Sequence, residues 1–192
     1  EQMWEEDSFW YGIVGKSGSG KTYALAELIV RRIGRQRERL LLLAPTNHAM
    51  ETLTITLWER FGWPQTGLAW RDEVRVVGRI RREAEISTTS QNFLRATRSI
   101  YVDTTLRPSS AAQALAQCSI MIATVDAIIQ ALFVKGSSWK RRIGRFHHIL
   151  CDEATQVKLP RLLALTPHTH TSGRITCIGD PLQLAIRSLN IG

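Results

Sequence analysis

Gly15-Lys16-Ser17-Gly18-Ser19-Gly20-Lys21-Thr22 fits the spacing G-x-x-x-x-G-K-[ST], between the apolar run 9–14 and a helical pattern. Residues without a Cβ let successive backbone N–H groups wrap around a phosphate, and the following helix aims its positive end at it. Gly15, Gly18, Ser19 and Gly20 would form that cradle. Lys21 would reach the β- and γ-phosphates of a nucleotide, and the Thr22 hydroxyl would ligate Mg²⁺. An ordinary Gly/Ser-rich loop can match the same pattern, so the reading depends on what else the chain brings to this point.

A second cluster ends another apolar run, His148-Ile149-Leu150-Cys151-Asp152-Glu153. Asp152 suits contact with a magnesium ion, directly or through its water. Glu153 suits the base that orients and deprotonates an attacking water. Two adjacent acids at a strand end also occur as a solvated turn; the phosphate loop upstream favours the chemistry. Further polar clusters follow other apolar runs: Pro45-Thr46-Asn47 after 40–44, Thr124 after 118–123, and Gly179-Asp180-Pro181-Leu182-Gln183 after 175–178.

Distant clusters need elements to gather them. Residues 9–14 read as a buried strand, then Leu25, Leu28, Ile29 and Ile33 recur at helical spacing, with Gly34 as a stop. Residues 40–44 suit a second buried strand. Asn47 can cap the next helix, whose Met50, Leu53, Leu57, Trp58 and Phe61 share a face. Residues 62–72 read as a loop and 74–77 as a third strand. The polar, Arg- and Thr/Ser-rich stretch 79–108 reads as short helices or an inserted subdomain. A helix over 111–117 leads into a fourth strand at 118–123. Then come a helix over 126–133 capped by Asp126, a basic connector at 136–145, a fifth strand ending at 149–151, a helix over 159–165 and a sixth strand at 175–178. Strands alternating with helices imply βαβ units and a mostly parallel sheet covered on both faces, a three-layer α/β domain. Ligands of such sheets bind beyond the carboxyl ends of the strands. Every polar cluster above follows a strand, so all fall on one edge.

Residues 15–22, Ala44-Pro45-Thr46-Asn47, Asp152-Glu153-Ala154-Thr155-Gln156 and Gly179-Asp180-Pro181-Leu182-Gln183-Leu184 resemble motifs I, Ia, II and III of superfamily 1 helicases. The DEATQ form is similar to the branch typified by the nonsense-mediated-decay RNA helicase. The likeness runs from about Phe9 to Leu184 and is weak over 79–108. It implies a RecA-like P-loop NTPase fold, with 1–192 as the first RecA-like domain, a short insertion at about 79–110, and a second RecA-like domain elsewhere in the same polypeptide. It also implies ATP and magnesium. Lys21 and Thr22 would serve the phosphates and the ion, Asp152 would hold the ion, and Glu153 would be the catalytic base. Gln183 would sense the γ-phosphate, and Gln156 would couple that state to the nucleic-acid side. Pro45, Thr46, Asn47 and Thr124 would touch the backbone of single-stranded RNA or DNA, RNA being favoured, with 5′-to-3′ polarity implied by the branch.

The chain departs from the branch in reading GKSGSGKT where GPPGTGKT is usual, and it has no well-placed glutamine upstream of Gly15 for adenine. A lone first domain, lacking half of the cleft, is expected to be nearly inactive. Two other readings stay open: a non-motor P-loop ATPase or switch, and a nucleic-acid-binding scaffold without unwinding activity. The GTPase form of the switch is disfavoured because no N-K-x-D sequence occurs.

Composition narrows the class. With 44% hydrophobic and 22% charged residues in 192, the chain suits one ordinary globular domain. No apolar run approaches the roughly 20 residues that span a bilayer, so no membrane partner is expected. The opening Glu1-Gln2-Met3 reads as the start of a piece of something longer. Cys118, Cys151 and Cys177 lie in apolar runs without metal or disulfide spacing, which suits small buried hydrophobes in a reducing compartment, cytoplasmic or nuclear. A net charge of +8 favours polyanions. Arg79, Arg81 and Arg82 follow a strand on the ligand edge and are candidates for nucleic-acid contact. Arg31, Arg32, Arg35, Arg37 and Arg39, with Lys140, Arg141, Arg142 and Arg145, fall on the opposite edge and read as solvated faces and helix ends. Trp63 and Trp70 read as core packing or a domain contact rather than base stacking, and His147-His148 and His168-x-His170 lack the partners of a metal site.

Overall fold

Strand β2 (Leu40–Ala44) is apolar at every position and buried at every position, as a strand covered on both faces must be. Its side chains divide by parity. Leu40, Leu42 and Ala44 join a core with Leu25, Ala26, Ile29, Met50, Leu53 and Leu57, which come from α1 (Lys21–Ile33) and α2 (Asn47–Arg60). Leu41 and Leu43 join a second core with Val125, Ile128, Leu132 and Leu162, which come from α3 (Val125–Phe133) and α4 (Leu159–Leu163). The period of two along one strand thereby separates two helix layers around one sheet. The result is the three-layer α/β arrangement expected of the sequence.

The structure, a computed structural model, describes residues 9–16, 18–33, 38–60, 74–77, 101–102, 115, 118–133 and 143–180. Beside β2 lie β1 (Trp10–Val14), β3 (Val74–Val77), β4 (Tyr101–Val102), β5 (Ile120–Thr124), β6 (Phe146–Cys151) and β7 (Thr169–Gly179). Among the described residues these seven strands form one sheet in the order β1-β7-β6-β2-β5-β3-β4, and every pairing is parallel. Parallel strands share one C-terminal edge. Register aligns their ends there: Val14 with Gly179, Cys151 with Cys177, Leu43 with Cys151, and Ala44 with Thr124. No helix among the described residues is long and apolar enough to cross a membrane.

Several expectations change. The first strand is not buried: among the described residues β1 pairs with β7 alone, and Val14 is 70% exposed. A seventh strand appears at Tyr101–Val102, inside the stretch read as helices or a subdomain. Two residues are too few to display a period. The rest of 79–110 lies outside the described residues, as does the 111–117 helix apart from helical, buried Leu115. Helix α4 stops at Leu163 rather than 165, and a 3₁₀ turn with a proline at its start, Thr166–His168, follows.

The caps also differ. Thr46 rather than Asn47 caps α2, its Oγ1 accepting the Ala49 N–H at 3.1 Å. Thr124 rather than Asp126 caps α3, accepting the Ala127 N–H at 3.1 Å, while Asp126 pairs with Arg161. In both places the hydroxyl sits three residues before the amide it accepts from, the N-cap spacing. Arg39 is likewise not on a solvated face. Its guanidinium donates to the carbonyls of Cys118, Ile143 and Leu115 and lies over the Phe146 ring.

Candidate active site

The glycine loop begins where β1 ends. The Gly15 N–H donates to the Gly179 carbonyl at 3.1 Å, fastening the loop to the end of β7. Gly18 and Gly20 have φ of +76° and +80°, values that side-chain-bearing residues adopt only with strain. A Cβ at Gly15 would lie 2.8 Å from Ser19 Oγ and 3.2 Å from Lys21 Cγ and Cδ, so a side chain there would have to shift both neighbours. The Ser19 N–H closes the turn on the Lys16 carbonyl, and the Ala24 N–H on Gly20 starts α1. The first-turn amides of α1 have no earlier turn to bond and face the loop. Lys21 Nζ donates to the Gly15 and Lys16 carbonyls at 2.7 and 2.6 Å, which folds its ammonium over the loop's mouth.

From the other half of the chain β6 delivers the acids. The Asp152 N–H continues the ladder to the Leu43 carbonyl at 2.9 Å. Its Oδ2 accepts the Thr22 hydroxyl at 2.8 Å, and its Oδ1 accepts the Glu153 N–H at 2.9 Å. Asp152 is therefore buried with both carboxylate oxygens engaged. Glu153 turns the chain in the left-handed region, φ 47° and ψ 39°, the one non-glycine among the described residues with positive φ. That conformation costs about 1–2 kcal/mol and persists only where surroundings enforce it. The Gln156 N–H closes the turn on the Glu153 carbonyl at 2.9 Å, and Gln156 Nε2 donates to Glu153 Oε2 at 2.6 Å. Beneath the turn, Gly179 admits Thr155: a Cβ there would lie 2.6 Å from Thr155 Cγ2.

Gly18, Gly20, Lys21, Thr22, Asp152, Glu153, Gly179 and Asp180 line one cleft of about 280 Å³. Its chemistry suits a polyphosphate: backbone amides and an ammonium on one wall, carboxylates on the other. The hydroxyl–carboxylate contact of Thr22 and Asp152 is a donor set of hard oxygens that fits magnesium. Under the acids, burial, with Cys177 and Asp152 beside it, pushes the Cys151 thiol well up, so no thiolate competes there.

Of the other expected site residues, Thr46 and Asn47 are exposed at the end of β2, Pro45 is half-buried, and Thr124 is buried at the end of β5. The start of α2 and the start of α3 follow register neighbours Ala44 and Thr124, so two helix N-termini flank each other on the ligand edge. Gln183 and Arg79 lie outside the described residues, as do Ser17, Trp63, Trp70, Arg35, Arg37 and Lys140. Asp180, placed on the ligand edge with its cluster but given no role, lines the cleft; sequence reasoning missed the contact of Gln156 with Glu153. The three-residue spacing of Glu153 and Gln156 in a tight turn was the available signal.

No cluster of three or more His, Cys, Asp or Glu suited to a metal occurs among the described residues. His147 and His170 stack at 4.1 Å on the opposite edge, and His148 faces Glu38 at 3.1 Å.

The family described as AAA domain matches residues 1–186. The human RNA helicase Mov10l1 is 28% identical over 177 residues, which cover 91% of this chain and 13% of that protein. A crystal structure of the Pyrococcus furiosus Hef helicase domain aligns with a TM-score of 0.44 and 11% identity, covering 88% of this chain and 28% of that one.

Proposed function

We propose, because this chain belongs to the AAA domain family and forms the first RecA-like core domain of a superfamily 1 helicase, that the whole protein couples ATP hydrolysis to movement along a single strand, RNA rather than DNA. One observation carries the reading. The Thr22 hydroxyl and the Asp152 carboxylate, 130 positions apart, meet at 2.8 Å and join the glycine loop to the acids in one cleft.

In this reading the loop amides and Lys21 hold the triphosphate, and Lys21 exchanges its two carbonyl partners for phosphate oxygens. Thr22 and Asp152 would hold magnesium, which when bound draws negative charge from the phosphate oxygens. Glu153 takes the proton of the attacking water as its oxygen bonds to the γ-phosphorus. The bond from that phosphorus to the β–γ bridging oxygen breaks, and the oxygen keeps the electron pair. Gln183 would sense the γ-phosphate. A second RecA-like domain of the same polypeptide would supply the other wall of the cleft, so hydrolysis by this domain alone is slow.

Pro45, Thr46, Asn47, Thr124 and Arg79 would follow the nucleic-acid backbone. The paired helix starts at Thr46 and Thr124 support phosphate contact, and the exposed Thr46 hydroxyl, accepting its cap bond, keeps its O–H to donate. Backbone contacts carry no sequence information, and the neutral ones among these release readily, which suits a motor. Preference for RNA is supported by the DEATQ form and by the likeness to an RNA helicase. Three free cysteines support a reducing, intracellular setting.

The test is ATP turnover by the full-length protein with and without single-stranded RNA. Stimulation by RNA, and its loss in Glu153→Gln by about a thousandfold, is expected. Turnover indifferent to RNA would sink the motor reading in favour of a switch.

A further inference from the structure

Glu153 stands at the rim of an open cleft on a flexible side chain, and a base must hold its carboxylate in one place to act on one water. One residue meets it at both ends. The Gln156 N–H takes the Glu153 main-chain carbonyl at 2.9 Å, and Gln156 Nε2 takes Glu153 Oε2 at 2.6 Å. The left-handed backbone of Glu153 makes this closed ring possible. It folds the chain into the 3₁₀ turn Ala154–Gln156, so that the amide three residues on comes back beside the carboxylate.

We infer that Gln156 is a positioning residue for hydrolysis: its carboxamide fixes the Glu153 carboxylate, leaving Oε1 for the proton of the water. The inference rests on the reading of Glu153 as the base. It differs from a purely coupling role for Gln156, because the contact is with the base itself. A carboxylate accepts several hydrogen bonds at once, so the clamp and the proton transfer do not compete. Both partners lie on the same short turn, so the clamp needs no neighbouring domain.

The test uses the full-length protein with saturating single-stranded RNA. Gln156→Met keeps the length of the side chain and removes the donor. Gln156→Glu keeps its shape and also removes the donor at neutral pH, and Gln156→Lys restores one. Both donor-free variants should lose about tenfold in kcat, while the KM for ATP and the Kd of a fluorescent nucleotide stay within about twofold. Gln156→Lys should recover most of the lost rate. In a Glu153→Gln background, Gln156→Met should cost nothing further, because the base it positions is gone. Should Gln156→Met fail to fold, Gln156→Glu carries the same comparison.

An unchanged kcat in the donor-free variants overturns the clamp. So does a loss that persists in full in the Glu153→Gln background, or a Gln156→Lys as slow as Gln156→Met. Native turnover by Glu153→Gln would overturn the base and the clamp together. An inactive Glu153→Gln beside a fully active Gln156→Met would overturn the clamp alone.

Discussion

The two edges of the sheet use the same kinds of residue for opposite ends. On the ligand edge, Lys21 is tied to two carbonyls of its own loop, beside a cleft that leaves room for a ligand. On the opposite edge, Arg39 is tied to three carbonyls from three separate stretches, at Leu115, Cys118 and Ile143, with Phe146 against its face. Gly18 and Gly20 leave open space, with nothing within 4 Å of a would-be Cβ, whereas the same atom at Gly144 would meet Arg39 Nη1 at 2.9 Å. A cation over carbonyls of its own loop can be released to a ligand. A cation over carbonyls from distant stretches of the chain is a staple.

The sharpest way to break this contrast is a matched pair of substitutions. Lys21→Met should lower ATP turnover of the full-length protein about a thousandfold, with stability within about 1 kcal/mol of the parent. Arg39→Met should cost about 3 kcal/mol in urea unfolding, because three carbonyls lose their donor, and leave nucleotide affinity unchanged. If Arg39→Met matched the parent in urea, the far edge would not be a staple.

A smaller effect probes how the two motifs meet. Gly179→Ala should destabilise by about 2 kcal/mol, through overlap of its methyl with Thr155 Cγ2. Thr155→Ser, which removes that methyl, should restore much of the loss in the double variant; a double variant no better than Gly179→Ala would place the strain elsewhere.

The smallest effect is on pH. Partial burial, then His147, Arg145 and Arg39, holds the His170 imidazole below its ordinary 6.5. The folded state therefore binds this proton less readily than the unfolded chain. Its contribution to stability is fully present above about pH 6.5, falls as pH drops through that value, and levels off below the folded pKa. Unfolding titrations of His170→Gln should show a shallower loss over that window. A slope identical to the parent's would remove His170 as its source.

Legibility followed range. The chemical spacing of residues 15–22, the apolar runs and the polar clusters after them are local patterns, and the described members of those clusters follow the strand ends as expected. Thr46 and Thr124 show the limit: their types were read, yet the cap depends on where the strand ends, within a residue. Tyr101–Val102 was illegible because a two-residue strand exists only through its partner Val76–Val77. Arg39 was misread because charge next to a helix end resembles solvated surface until the three carbonyls around it are known.

Local chemistry, then, determined the class of domain, the glycine cradle, the acids and the shared rim, since each follows from neighbours in the chain and from the alternation of strand and helix. Folding alone decided that Thr22 would meet Asp152, that Arg39 would meet three distant carbonyls, and that β1 would lie at the sheet's margin. Those outcomes depend on strand order and on which distant carbonyls remain to be satisfied, neither of which any one segment encodes.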